Sequence, residues 1–160
     1  MSTLAWTDKL VLNQPTLDTT HEEFVGLLND FGTALDEGAD ALPAYQALLA
    51  HTEAHFAMEE DWMTRCGFEA QNCHASQHAM VLNVMREALR YANELNDREP
   101  LNILRTELAG WFPQHAEMMD AALVFTMEQR GFDPVTGQIA NNSREPAEAA
   151  SHSCGSSSCG

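Results

Sequence analysis

The sequence predicts an all-α protein: an antiparallel up-down-up-down four-helix bundle with an extended N-terminal arm and a disordered C-terminal tail. Helix-compatible residues such as Ala, Leu, Met, Glu and Gln are abundant, and alternating Val- and Ile-rich runs are missing. Four successive segments of similar length carry apolar residues at helical spacing, joined by short links. The 160 residues, 44% of them hydrophobic, suffice for one domain with its own core.

Helix 1 is predicted over residues 19–37. Asp18 or Thr19 can cap its N-terminus, and Gly38 marks its end. Its apolar side chains recur every three or four residues, at Phe24, Val25, Leu28, Phe31 and Leu35. This spacing predicts one apolar face that is buried against the other helices.

The three remaining helices follow the same logic. Helix 2 is predicted over residues 41–65, where Pro43 suits the first turn of a helix. Helix 3 is predicted over residues 70–96 and ends before a polar stretch that contains a proline. Helix 4 is predicted over residues 100–129, and Gly131 follows its last turn.

The two ends of the chain differ in composition from the helices. Residues 1–17 are predicted to form an extended arm, with Trp6 and Leu10 available to lie on the bundle. Residues 132–160 are dominated by Gly, Ser, Ala and Asn and contain few large hydrophobic residues, which predicts a flexible low-complexity tail. The sequence thus predicts a bundle over residues 1–131 followed by a disordered segment.

Charge and targeting signals exclude several classes of partner. Twenty-four acidic against eight basic residues give a formal net charge of −16, so the surface should repel nucleic acid and anionic lipid. No apolar run approaches the roughly 18–20 residues needed to span a bilayer, and the first residues do not resemble a signal peptide. The sequence therefore predicts a cytoplasmic protein. Four unevenly spaced cysteines are predicted to be reduced thiols: Cys66, Cys73, Cys154 and Cys159.

Imidazoles and carboxylates interrupt the apolar faces of all four helices. His55 and Glu59 are four residues apart, as are His74 and His78, so each pair lies on one helix face. The faces of four helices converge in a bundle, where ligand sites are built from inward side chains. The candidate metal ligands are His21, His55, Glu59, His74, His78, His115 and Asp120.

This set of donors is too large for one tetrahedral ion, because it contains five imidazoles and two carboxylates. Two ions suit it better, since carboxylates can bridge a pair of metals about 3.5–4 Å apart. Nitrogen and oxygen donors with open positions favour iron, with zinc, copper and manganese as chemical competitors.

The motifs that carry these residues resemble those of the hemerythrin family, particularly its single-domain bacterial members. "LDTTH" resembles the family's Asp-x-x-His, "HFAMEE" its His-Phe-x-x-Glu-Glu, "HASQH" its His-x3-His, and "WFPQHAEMMD" its Trp-x3-His-x4-Asp. The resemblance spans residues 4–130 with the motifs in the right order, and it leaves the tail uncovered. Together the four motifs are specific for this family.

The resemblance implies two iron ions joined by a bridging oxo or hydroxo group. One iron would be held by His74, His78 and His115, the other by His21 and His55, with Glu59 and Asp120 bridging both. Five histidines, two bridging carboxylates and one bridging oxygen fill eleven of about twelve positions around two six-coordinate ions. One position remains, and in the family dioxygen binds there reversibly.

The predicted function is reversible dioxygen binding, for storage or for delivery to an oxygen-consuming enzyme, by a monomer that is not itself an enzyme. Two alternatives use the same centre. One is a di-iron oxidase or a scavenger of peroxide or nitric oxide, and the other is a sensor of oxygen or iron that acts through its tail. A ferritin-like iron store fits less well, because those bundles are richer in carboxylates than this one.

By the same resemblance, four side chains would wall the dioxygen pocket: Phe56, Trp111, Phe112 and Ala116. Apolar walls would keep water and protons away from the bound gas. Plain core packing explains the same aromatic residues equally well. The position of Ala116 often carries a bulky aliphatic residue in the family, so this pocket is predicted to be roomier.

Asp120 departs from regular helical spacing. It follows His115 by five residues, and in an ideal α-helix five residues leave two side chains about 140° apart. A π-bulge would bring them to one face, and Pro113 already removes a backbone donor nearby. The sequence therefore predicts irregular helical geometry within residues 109–120. His51 and His152 are not predicted to be ligands.

Overall fold

The structure, a computed structural model, describes residues 2–140. Three long helices precede a fourth that is interrupted by a π turn. They are α1 (Pro15–Asp36), α2 (Leu42–Arg65), α3 (Cys73–Glu94), and a fourth rod made of α4 (Glu99–His115), the π turn (Ala116–Asp120) and α5 (Ala121–Arg130). Each rod packs against its neighbours in sequence, and α1 also packs against α4, which closes the ring. The predicted all-α four-helix bundle is confirmed.

The start of α1 differs from its prediction. The helix begins at Pro15, four residues earlier than expected, and Gln14 caps it by accepting a hydrogen bond from the Leu17 N–H at 2.6 Å. Pro15 suits this place because it lacks the N–H that the first turn leaves unpaired. Asp18 instead accepts a hydrogen bond from the Leu12 N–H at 2.7 Å. The other predicted helix ends lie within three residues of the observed ones.

The N-terminal arm is fastened to α1. The side-chain amide of Asn29 accepts a hydrogen bond from the Leu4 N–H at 2.9 Å and donates one to the Leu4 carbonyl at 2.8 Å. After a short 3-10 helix at Asp8–Leu10, the side chain of Leu10 is buried in the core, and Trp6 packs beside it. The predicted placement of both residues on the bundle is confirmed.

A small hairpin follows α5. Gly131 has a φ of +62° and reverses the chain into strands β1 (Phe132–Asp133) and β2 (Gln138–Ile139), which pair antiparallel. Phe132 is buried on the bundle. The first part of the predicted tail is thus ordered against the helices. Residues 141–160 of that tail lie outside the described residues.

The predictions about the cysteines and about membrane-spanning segments can also be compared with the structure. Cys66 is a free, buried thiol, but Cys73 is disulfide-bonded, so the prediction of reduced thiols is wrong for Cys73. Cysteine spacing alone gave no signal for that bond, because pairing depends on three-dimensional proximity. Cys154 and Cys159 lie outside the described residues. Within residues 2–140, no helix is long and apolar enough to cross a bilayer.

The core consists of two apolar clusters with a polar layer between them. Along α1, His21 lies between Leu17 of one cluster and Phe24 of the other. Glu59 is flanked in the same way on α2, by Trp62 and Phe56. The helical period therefore places the polar side chains at one level of the bundle, enclosed by hydrocarbon above and below.

Candidate metal centre

The seven predicted donor side chains meet in this polar layer. None is more than 4% exposed to solvent. Their ligand atoms form two overlapping groups in which all atoms lie within 4.8 Å of one another. The larger group is Glu59, His74, His78, His115 and Asp120, and the smaller is His21, His55 and Glu59. Their role as ligands remains a prediction, but the convergence on which it depends is present.

Glu59 lies between the histidines of both groups. Its Oε1 is 2.7 Å from Nε2 of His55 and 3.8 Å from Nε2 of His21. Its Oε2 is 3.2 Å from Nε2 of His74 and equally far from Nε2 of His78. One carboxylate thus presents one oxygen to each side of the cluster.

Asp120 repeats this arrangement from the fourth rod. Its Oδ2 is 3.1 Å from Nε2 of His21. Its Oδ1 is 3.0 Å from Nε2 of His74 and 3.1 Å from Nε2 of His115. The cluster therefore has two halves that share both carboxylates: a two-histidine pole, made by His21 and His55, and a three-histidine pole, made by His74, His78 and His115.

The π turn explains how Asp120 reaches this position. The Ala121 N–H donates to the carbonyl of Ala116, five residues earlier, which widens the helix by one residue. His115 and Asp120 then share a face, although five residues separate them. The π turn lies inside the predicted irregular segment, which confirms that prediction.

Several buried polar atoms of the cluster lack a hydrogen-bond partner. They include Nε2 of His21 and His74, Oε2 of Glu59 and both carboxylate oxygens of Asp120. Their neighbours are close, yet the geometry does not make hydrogen bonds of these contacts. A buried polar group left in this state costs about 1–3 kcal/mol. Imidazole and carboxylate donors directed at common points would be satisfied by cations, so the residues present fit a pair of metal ions.

Two polar residues that sequence reasoning missed contact the outer edges of the ligand rings. Nδ1 of His115 lies 2.9 Å from Oε1 of Gln77, a contact in which the ring nitrogen must donate. This fixes the tautomer and leaves Nε2 free to face the cluster. Nδ1 of His78 lies 3.4 Å from Oε1 of the half-exposed Glu60. Gln77 had no sequence signal beyond its polarity, whereas Glu60 is the last residue of the His-Phe-x-x-Glu-Glu motif.

The predicted pocket residues surround the cluster. Phe56 stacks on the ring of His78 with centroids 3.8 Å apart, and Trp111 stacks on that of His115 at 4.4 Å. Phe112 meets the ring of His21 edge-on at 5.0 Å. Phe56, Phe112 and Ala116 are buried, and Trp111 is partly exposed. The structure places all four beside the donors, and their role as a pocket wall remains a prediction.

His51 lies outside the donor groups. Its Nε2 is 3.1 Å from Oε2 of Glu23, and its ring is 6.1 Å from that of His55. The residue therefore links α1 to α2 at the periphery, as expected for a histidine that is not a ligand. His152 lies outside the described residues.

In the metal-free cluster, the ionised forms of His21, His74 and both carboxylates are favoured, whereas burial lowers the pKa of His78. Burial opposes protonation of His21, but the nearby carboxylates of Asp120 and Glu59 favour the protonated ring more strongly and raise the pKa to about 9. The same balance raises the pKa of His74 to about 9. Despite burial, the surrounding histidines hold the pKa of both carboxyl groups below the ordinary range. Protons thus offset the buried negative charge where cations would otherwise do so.

The metal-free protein should lose stability as the pH rises. Protonated His21 and His74 contribute stability fully below pH 6.5, and this is lost as the pH passes through about 9. Because two histidines titrate, we expect the free energy of unfolding to fall by roughly 5 kcal/mol between pH 7 and 10. Urea unfolding across this range measures it. The metal-loaded protein should not show the same decline, because metal has already displaced these protons. If the free energy of unfolding declined equally in the metal-free and metal-loaded protein, His21 and His74 would not be metal ligands.

A closed ring of helices that directs five imidazoles and two carboxylates at one buried layer defines a metal-binding four-helix bundle. Comparison with known protein families shows to which family of such bundles the chain belongs. Residues 14–124 match the model of the family described as "Hemerythrin HHE cation binding domain". The chain therefore belongs to the hemerythrin family.

Known relatives agree with this assignment. The chain is 38% identical over 133 residues to a bacteriohemerythrin of Ralstonia nicotianae, which covers 83% of this chain and 95% of the relative. It is 26% identical to a bacteriohemerythrin of Stenotrophomonas maltophilia, over 76% of this chain and 80% of the relative. A bacteriohemerythrin of Pseudomonas aeruginosa is 25% identical over 78% and 81%, respectively. No solved structure gives a significant match.

Proposed function

We propose that this chain binds dioxygen reversibly at a non-haem di-iron centre, for storage or for delivery to an oxygen-consuming enzyme. The observation that carries the proposal is the unequal number of donors at the two poles. The three-histidine pole has three imidazoles and one oxygen from each carboxylate, whereas the two-histidine pole has two imidazoles and one oxygen from each.

This difference leaves one open position. A shared bridging oxygen would add one donor to each pole. The three-histidine pole would then have six donors and the two-histidine pole five. Six-coordination is then complete only at the three-histidine pole, so an external ligand would bind at the two-histidine pole. Two ferrous ions, one held at each pole, would supply the electrons that dioxygen takes up.

The surroundings of the two-histidine pole favour binding over turnover. Phe112 packs edge-on against His21, and the ring of Phe56 lies 5.4 Å from that of His55, so aromatic groups exclude water on this side. Cleavage of the O–O bond needs a positioned proton donor. His51, the nearest other histidine, directs Nε2 away from the cluster to the exposed Glu23. Within residues 2–140 we find no acid aimed at the open pole.

The proposal is tested by reconstitution. The metal-free protein is loaded with ferrous iron under argon, exposed to air, and returned to argon. We expect two irons per chain by metal analysis and a dioxygen-dependent charge-transfer band that disappears reversibly. Fewer than two irons, or a band that never reverses, would contradict reversible binding. Rapid consumption of dioxygen, peroxide or nitric oxide with a reductant would instead assign the centre to an oxidase or scavenger.

A larger side chain at position 116 should prolong the oxygenated form. Ala116 is 1% exposed and begins the π turn directly after His115. Leu or Ile at this position would restrict water entry, so autoxidation should slow several-fold in Ala116→Leu or Ala116→Ile. The half-life of the oxygenated absorption band measures this. Met118→Leu is the matched control, because Met118 lies on the same turn but is 68% exposed. Equal half-lives in Ala116→Leu and Met118→Leu would refute the explanation.

A further inference from the structure

An apolar groove runs along the outside of the bundle between α3 and α4. Its volume is about 380 Å³. Met80 and Val84 line it from α3 and Ile103 from α4, and these side chains are 56%, 50% and 53% exposed. Leu108 and Trp111 also line the groove, and the ring of Trp111 stacks on His115 of the cluster. A group of half-exposed apolar side chains rimmed by charged residues is a candidate interaction surface.

The spacing of the lining residues suits the binding of another helix. Met80, Val84 and Ala88 recur every four residues along α3, and Ile103 and Trp111 lie two turns apart on α4. Two such ridges leave a channel into which the apolar stripe of a third helix fits, by the rules that govern packing of ridges into grooves. Anchors at i, i+3, i+4 and i+7 are the usual means by which an amphipathic helix occupies such a channel.

The acidic residues at the rim of the groove favour a partner that carries basic residues. Glu87 and Glu107 flank the apolar walls. Glu87 is paired with Arg90, but within residues 2–140 Glu107 makes no ion pair or hydrogen bond. The whole chain carries a net charge of −16, so a second copy would meet strong like-charge repulsion. A partner with basic residues beside its apolar stripe would be attracted and correctly oriented.

We infer that the groove between α3 and α4 docks an amphipathic helix of another protein, with apolar anchors between the two helices and Lys or Arg residues beside Glu87 and Glu107. Trp111 belongs both to this groove and to the predicted pocket wall, but none of the proposed metal ligands lines the groove. Docking uses the outer faces of α3 and α4, and should therefore occur with metal-free and metal-loaded protein alike.

The test uses a synthetic, fluorescein-labelled amphipathic helix of about 18 residues, with Leu on one face and Lys on the other. Fluorescence anisotropy measures its binding to the full chain, and a peptide with Glu in place of Lys is the matched probe. We expect the Lys peptide to bind and the Glu peptide not to bind. Ile103→Glu and Val84→Glu should each weaken binding at least about tenfold. Phe125→Glu, on the 62%-exposed Phe125 of α5, should change it less than about twofold.

The glutamate substitutions distinguish docking in the groove from nonspecific electrostatic attraction of the Lys peptide. An added glutamate strengthens binding that depends on net charge alone, but it weakens binding that buries Ile103 or Val84. Equal or tighter binding by Ile103→Glu would overturn the inference, as would failure of the Lys peptide to bind. Sedimentation that shows a dimer dissociated by Ile103→Glu would also overturn it and assign the groove to a second copy. Circular dichroism verifies that each variant is folded.

Discussion

Replacing Glu59 by Gln is expected to lower the iron content from two ions per chain to one or none. Like Asp120, Glu59 approaches histidines of both poles, with one oxygen directed to each. Gln keeps the size of the side chain but replaces one of these oxygens by an amide nitrogen, which donates hydrogen bonds and is a poor metal ligand. At least one pole should therefore lose a donor and the charge that neutralises its cation.

Metal analysis after reconstitution under argon and removal of excess iron measures this loss. Glu22→Gln is the matched control, because Glu22 follows His21 on α1 but is exposed and should keep both irons. Circular dichroism of the metal-free variants separates loss of ligation from loss of the bundle. Two tightly bound irons in Glu59→Gln would refute a bridging role for this carboxylate. The groove proposal would not be affected, because it does not depend on metal.

Most of the cluster was predictable because an α-helix converts sequence spacing directly into a shared face. His55 and Glu59, like His74 and His78, are four residues apart, so any helix through them aligns their side chains. Apolar residues recur with the same helical spacing, and their burial determines which face of each helix points into the bundle. For this reason four amphipathic patterns predicted both the bundle and the level at which its polar groups meet.

Features without a periodic sequence signal were not predictable in this way. Gln77 reaches His115 from a different helix, and no periodicity in either segment indicates that pairing. The hairpin after Gly131 is only two residues long in each strand, too short for an alternating pattern. Capping of α1 by Gln14 was missed because Gln is not among the preferred capping residues.

The π turn shows where periodicity fails and geometry still gives a usable prediction. A five-residue separation between His115 and Asp120 is incompatible with one face of a regular helix. The motif therefore required a local widening, and the structure places it at Ala116–Asp120. We interpret the turn as one residue added to an otherwise continuous fourth rod, because α5 beyond it returns Leu123 and Val124 to the core.

This interpretation predicts opposite results for a deletion and an insertion at the same point. Without the exposed Met118, the chain can close into a regular helix in which the aspartate follows His115 by four residues and keeps its face. Leu123 and Val124 also keep their places, so the free energy of unfolding should change by less than about 1 kcal/mol. An Ala inserted after Met118 turns α5 by about 100° and removes both side chains from the core.

The insertion should therefore cost at least about 3 kcal/mol, since it withdraws two fully packed aliphatic side chains from their cluster at once. Urea unfolding of the metal-free variants measures both changes, and iron content shows whether the aspartate still reaches the site. We expect the deletion variant to bind iron and the insertion variant to lose it. A deletion as damaging as the insertion would mean that the π turn is required by the packing of the fourth rod, and that its extra residue is not a simple addition.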